Sequence, residues 1–252
     1  LEQRVRLAEL MILASDIQGA QLQLDRVREA TSRTPENAPE IEADLLLATA
    51  RLELARGSLD AARDFSAQVI EILTSRYGNF DHRTAEAVFV RGLVHMEARE
   101  TDLAISDYQD VIRLDDAQFG DDTREILAMA CNNLAYLKRE RGRVSLSEGL
   151  LDRGSRVASQ AWDVLDWRTA LVDAHYGYVL SMKGDFIAAE AKLKSAEGVL
   201  SSSLGADHRE TQAVYRTLAN SYRRRNTVEN TEKYSDESEL WESKVIQRAG
   251  PS

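Results

Sequence analysis

The sequence predicts an all-α fold, a solenoid of stacked helix-turn-helix repeats. Small residues recur at Ala8, Ala50, Gly92, Ala135, Gly177 and Ala219, and a second set keeps step at Ala20, Ala62, Ala104, Ser147, Ala189 and Thr231. Each series advances by 42, 42, 43, 42 and 42 residues, and the paired positions are 12 apart. A fixed period of this length marks a stacked array in which each unit buries its apolar face on the next. Composition agrees, because a chain with three prolines and much Ala, Leu, Glu and Arg favours helix. The junctions repeat as well, with Tyr77-Gly78, Phe119-Gly120, Trp162-Asp163 and Leu204-Gly205 in one position. The period fills the chain. One array over residues 1–252 is therefore expected, with six repeats of about 42 residues and a degenerate, capping last repeat at 212–252.

In each repeat a first helix, A, carries the first small residue, and a second helix, B, carries the other. Small side chains at both places let the helices approach and cross. Larger residues surround the crossing: Leu10, Leu52, Val94, Leu137 and Val179 on A, and Ile17, Leu59, Val144, Phe186 and Val228 at the B starts, where Thr101 breaks the series. Late on B, Val27, Val69, Val111 and Ala196 face the next repeat, with Gly154 and Ser238 as weaker members. In the fifth repeat the pattern predicts A over 170–182, a stop at Gly184, a turn at Asp185, and B over 186–202. Asp207 is the expected N-cap of the next helix, with Glu210 as capping-box partner, and Asp122 with Glu125 repeats that pair. At the junctions, Gly78 and Gly205 suit a left-handed C-cap. The single 43-residue step places one extra residue in the Gly120–Arg124 loop. In the last repeat Thr231, Ser235 and Ser238 occupy packing positions. A polar end suits an array, and the alternative is that Trp241, Val245 and Ile246 dock on another chain.

Bulk properties narrow the function classes. A net charge of −10 disfavours nucleic acid as a bulk electrostatic partner. No apolar run approaches a membrane span, and the amphipathic, charged first residues do not read as a signal peptide. The one cysteine, Cys131, forms no internal disulfide, which fits a reducing, cytoplasmic setting. A start at Leu1 rather than Met leads us to expect a piece of a longer protein.

Gly184, Phe186, Ala189 and Glu190 are followed by Leu204, Gly205, Asp207, His208 and Thr211, and then by Leu218, Ala219 and Tyr222. Asn132-Asn133-Leu134-Ala135 adds a second motif, and Tyr77-Gly78 with Asp81-His82 and Thr84 is a looser copy. On these residues the chain resembles tetratricopeptide repeats of the kinesin-light-chain type. The resemblance implies a right-handed superhelical solenoid whose A helices line a concave face that binds peptide segments or other proteins. The A-helix register then nominates Arg51, Asn132, Asn133, Tyr136, Arg139, His175, Tyr178, Arg216, Asn220 and Arg223 as partner-binding residues. Asn donates to and accepts from an extended backbone, Arg pairs with carboxylates, and Tyr offers a rigid ring with a hydroxyl. Arg216 and Asn220 are similar to the Lys/Asn pair of carboxylate-clamping members, but such clamps use further residues from following repeats, and only a degenerate half-repeat follows in this sequence.

No chemistry-bearing constellation competes. His82 and His208 are about three repeats apart, and His95 and His175 have no partner at i+3 or i+4, so no metal site is expected. Cys131 reads as a core thiol. Arg223-Arg224-Arg225 reads as a solvated helix end, because helix geometry splays consecutive side chains. There is no nucleophile elbow, phosphate loop or dinucleotide fingerprint. The expectation is a protein- or peptide-binding scaffold, the sensor or docking part of a larger bacterial regulatory protein, with no enzyme activity and no cofactor. The alternative is a homo-oligomerisation module, a homodimer for instance, acting through the C-terminal repeat.

Overall fold

A computed structural model describes residues 1–33, 38–78, 82–116 and 123–246. Among the described residues there are twelve helices and no strand: α1 (Glu2–Leu13), α2 (Ile17–Arg33), α3 (Ala38–Arg56), α4 (Leu59–Tyr77), α5 (His82–Glu97), α6 (Thr101–Asp116), α7 (Arg124–Glu140), α8 (Val144–Ala161), α9 (Trp167–Lys183), α10 (Phe186–Leu204), α11 (Arg209–Glu229) and α12 (Ser235–Ile246). The Phe119-Gly120 junction, Asp81, the Asp122 cap and the expected insertion after Gly120 fall outside the described residues, as does the side chain of Ile246. No described helix is long and apolar enough to cross a membrane. The chain divides into two compact units, Leu1–Ile126 and Leu127–Ser252.

Odd-numbered helices are the A helices, and even-numbered helices are the B helices. Five B helices begin on the residues that the periodicity marks: Ile17, Leu59, Thr101, Val144 and Phe186. All six small A positions and five of the six B positions are buried. The crossing shows why they are small. A methyl added to Gly92 would lie 2.7 Å from Cε1 of Tyr108, and one added to Gly177 would lie 2.7 Å from Cγ of Leu193. Tyr108 and Leu193 stand four residues after Ala104 and Ala189, and both are fully buried. Thus the small A residue admits a large B residue, and burying such a side chain stabilises by about 1.5–3 kcal/mol. Leu24 and Leu151 fill the same place opposite Ala8 and Ala135.

Each A–B turn then needs one left-handed residue, seven positions after the small A residue. Gly57, Gly142 and Gly184 supply it without cost, at φ 78°, 72° and 89°. Ser15 and Arg99 adopt the same conformation at φ 61° and 60°. For those two residues it costs about 1–2 kcal/mol, so the repeat geometry overrides local preference.

The last repeat departs from the 42-residue register. α11 runs 21 residues and ends at Asn230, which is left-handed at φ 49°, four positions later than the register places the turn. As a result α12 starts at Ser235 instead of Val228, and Ser238 instead of Thr231 is the small residue at the crossing. Ser238 is buried, and its hydroxyl donates to the Ala219 carbonyl at 3.1 Å. Thr231 lies in the turn, and Val228 is 65% exposed on α11. The shift is seven residues, two helical turns, so the apolar pattern alone does not betray it. Asn226 ties the added segment down, accepting from the Tyr234 backbone N–H at 2.9 Å and donating to Ser235 Oγ at 3.2 Å. Trp241 is buried inside its own unit, where it stacks on Tyr215 with centroids 5.8 Å apart, and is not presented to another chain. Val245 packs partly buried against the same cluster.

Other expectations shift at helix ends. α9 begins at Trp167, three residues early, because Asp166 caps it by accepting from the Arg168 backbone N–H at 2.8 Å. His208, not Asp207, caps α11, with Nδ1 accepting from the Glu210 N–H at 3.3 Å. Gly78 and Gly205 are C-caps with φ of 82° and 91° but extended ψ of 175° and 153°, a region open essentially to glycine alone. Where Trp162 stands in place of that pattern, α8 stops a residue sooner and the indole is buried. Leu10 is 63% exposed, whereas its counterpart Leu52 is fully buried in a core cluster shared with Ala8, Ala20 and Leu24 of the repeat before it.

Gly177→Val is expected to destabilise the chain by about 2 kcal/mol through overpacking against Leu193. Gly198→Ala, with open space around its Cβ on α10, should stabilise by about 0.5–1 kcal/mol. Urea unfolding monitored by circular dichroism measures both.

Candidate interaction face of the A helices

Every nominated residue lies on an A helix, but the two units use that face differently. In the first unit, Arg51 on α3 is bracketed by Glu9 on α1 and Glu86 on α5, with its Nη2 2.6 Å from Glu86 Oε1 and Nη1 paired to Glu9. Burial opposes the Arg51 charge, yet Glu86 and Glu9 together hold it above its ordinary range. For Glu9, burial pushes the carboxyl up while Arg51 pulls it back. Arg51 is thus a staple across three helices, engaged within its own unit. Glu9 and Arg51 occupy the same repeat position 42 residues apart, the one signal in the sequence that pointed to the pair.

The second unit carries the other nine nominated residues on α7, α9 and α11. Asn132 and His175 meet across helices, with Nδ1 of the imidazole 2.7 Å from Asn132 Oδ1. Burial pushes the His175 pKa below its ordinary value, Glu210 pulls the other way, and Arg139 adds to the depression. Tyr136 and Tyr178 come from successive A helices and stay 47% and 36% exposed. The Arg139 guanidinium lies 4.9 Å from each ring centroid, so it joins the two tyrosines into one stack. Arg139 also pairs with Glu140 at 2.9 Å. Asn133 is half-buried on α7. Arg216, Asn220 and Arg223 are exposed on α11. Asn220 accepts from Arg223 at 2.9 Å, and Arg223 reaches Glu242 of α12 at 2.8 Å. Arg224, absent from the expected set, donates to the Met182 carbonyl at 2.7 Å near the C-terminus of α9, where a cation is favoured.

The remaining reactive side chains have structural surroundings. His95 is buried on α5, with Nδ1 2.8 Å from Asp107 on α6, and Arg91 also grips Asp107 at 2.6 Å. That partner lies 12 residues away, beyond the i+3 and i+4 spacings. Cys131 is buried, its Cβ 3.2 Å from where a side chain on Gly154 would begin. No group of three His, Cys, Asp or Glu side chains among the described residues could hold a metal ion.

No family model matches the sequence, and no curated protein matches it. Solved structures do match in three dimensions. BtubC from P. vanneervenii superposes with a TM-score of 0.67 at 14% identity, over 95% of this chain and 94% of that one. A putative kinesin light chain with nearly identical TPR-like repeats, from Podosopora anserina, gives 0.60 at 14% identity, over 81% and 95%. The fold is that of a tetratricopeptide-type repeat protein. A Rap protein complexed with Competence and Sporulation Factor is also similar, with a TM-score of 0.62 at 13% identity, over 97% of this chain and 75% of that one.

The His175 shift has a pH consequence for this tetratricopeptide-type fold. The unfolded chain takes up the His175 proton near pH ~6.5, before the folded chain does. Stability from the neutral imidazole is therefore complete above that pH and is lost as the pH falls through the depressed folded-state value. The urea midpoint should fall more between about pH 7.5 and about pH 5 in the parent chain than in His175→Gln.

Proposed function

We propose that this chain is a protein- or peptide-binding scaffold whose partner lies on α7, α9 and α11. The carrying observation is the Tyr136–Arg139–Tyr178 stack, in which two half-exposed rings from neighbouring helices are held in place by one arginine. Tyr and Arg are the residue types that concentrate binding energy, and pre-positioned rings lose little entropy when a partner arrives. The rest of the nominated set surrounds the stack with hydrogen-bonding groups suited to an extended backbone. The complex of the similarly folded Rap protein supports the reading that this architecture can hold a partner. Arg51, already engaged by two carboxylates, is left out of the binding face.

The chain acts in this reading as the sensor or docking part of a larger bacterial regulatory protein in the cytoplasm, and it is not an enzyme. Self-association through the C-terminal repeat draws on less, because Trp241 is buried and, among the described side chains of α12, Leu240 is the large apolar one that is exposed.

Binders selected from displayed random peptides of about twelve residues provide the test. Tyr136→Ala with Tyr178→Ala should weaken their calorimetric Kd by about thirtyfold or more while leaving the thermal midpoint nearly unchanged. Undiminished affinity in the double variant overturns the assignment.

A further inference from the structure

We propose that the segment held on α7, α9 and α11 is acidic and places its carboxylates on Arg216 and Arg223. This rests on the binding face proposed above. Three positions of each A helix share one stripe: three residues before the small residue, one after it and four after it. In the second unit those nine positions hold three arginines, two tyrosines, two asparagines and no carboxylate. In the first unit the same nine hold seven apolar residues, and the remaining two, Glu9 and Arg51, pair with each other. The arginine stripe is therefore a property of this face and not of the repeat.

Charge at larger scale agrees. Residues 1–126 contain 14 basic and 25 acidic side chains, whereas residues 127–252 contain 18 and 17. A chain of net charge −10 thus leaves one half close to neutral and clusters cations on its A helices. The Arg216 side chain is exposed and makes no hydrogen bond or ion pair with the side chains of the described residues. Arg223 is held by Glu242 in a pair that is half-exposed on both sides, at 53% and 48%. Such a pair is worth little in water, so a ligand carboxylate can replace Glu242 at small cost. Arg139, by contrast, is stacked between the tyrosines and serves to position them. A short acidic segment fits better than a nucleic acid, because the overall negative charge repels a long polyanion while local arginines still pair with individual carboxylates.

Selection from the displayed random-peptide library separates the possibilities. Peptides enriched on the intact chain should be rich in Asp and Glu relative to the input. Replacing those residues with Asn and Gln in a synthesised winner should weaken its Kd about tenfold. Arg216→Ala and Arg223→Ala should each weaken it about threefold to fivefold, and that difference from the intact chain should shrink at high salt. Neutral or basic winners whose affinity still falls in Tyr136→Ala/Tyr178→Ala overturn the acidic inference and leave the binding face standing. Winners indifferent to the tyrosines, or no winners, overturn both. Tighter binding of a single-stranded oligonucleotide than of any selected peptide overturns the acidic-segment proposal, as does self-association of the chain that Arg216→Glu abolishes.

Discussion

Everything in this structure hangs on how closely helix A can approach helix B. Gly92 and Gly177 leave no room for a methyl because Tyr108 and Leu193 already occupy that space. Once that approach is set, the A–B turn follows and demands a left-handed residue, even where the chain offers only Ser15 or Arg99. The approach also determines which A-helix side chains turn away from the B partner. The stripe carrying Tyr136, Tyr178 and Asn220 is a consequence of the crossing, since each stands one residue after a small, buried neighbour.

That dependence explains what was legible in the sequence. Five B-helix starts and the buried small positions could be read because a 42-residue period is a global signal, repeated where local propensity is weak. Individual caps could not, since His208 displaces Asp207 through a single 3.3 Å hydrogen bond that composition does not favour. The last repeat was misplaced for a different reason. The start of α12 moves by seven residues, which keeps almost the same helical phase, so the periodicity assigned Thr231 to the crossing that Ser238 occupies. The candidate face was legible as a register but not as a set of interactions. Asn132 with His175, and Arg139 between two tyrosines, needed the relative placement of three helices.

The two units show how one backbone supports different surfaces. The stripe positions of the first unit are mostly apolar, and Arg51 staples α1, α3 and α5 through its bridges to Glu9 and Glu86. In the second they are aromatic and cationic and remain open to solvent at Tyr136, Tyr178 and Arg216. Function in a repeat fold is written into such substitutions at fixed geometry, and the fold alone does not disclose it. The fold was recoverable from small residues, whereas the partner chemistry resides in a few large ones.

The most direct measurement compares Ser238→Leu with Thr231→Leu by urea unfolding. Ser238 lies buried at the last crossing against the Ala219 carbonyl, and Thr231 lies in the turn. The account predicts a loss of about 2–3 kcal/mol for Ser238→Leu and a change within about 0.5 kcal/mol for Thr231→Leu. The reverse order, or equal effects, would contradict the claim that a small residue at each helix crossing organises the repeat.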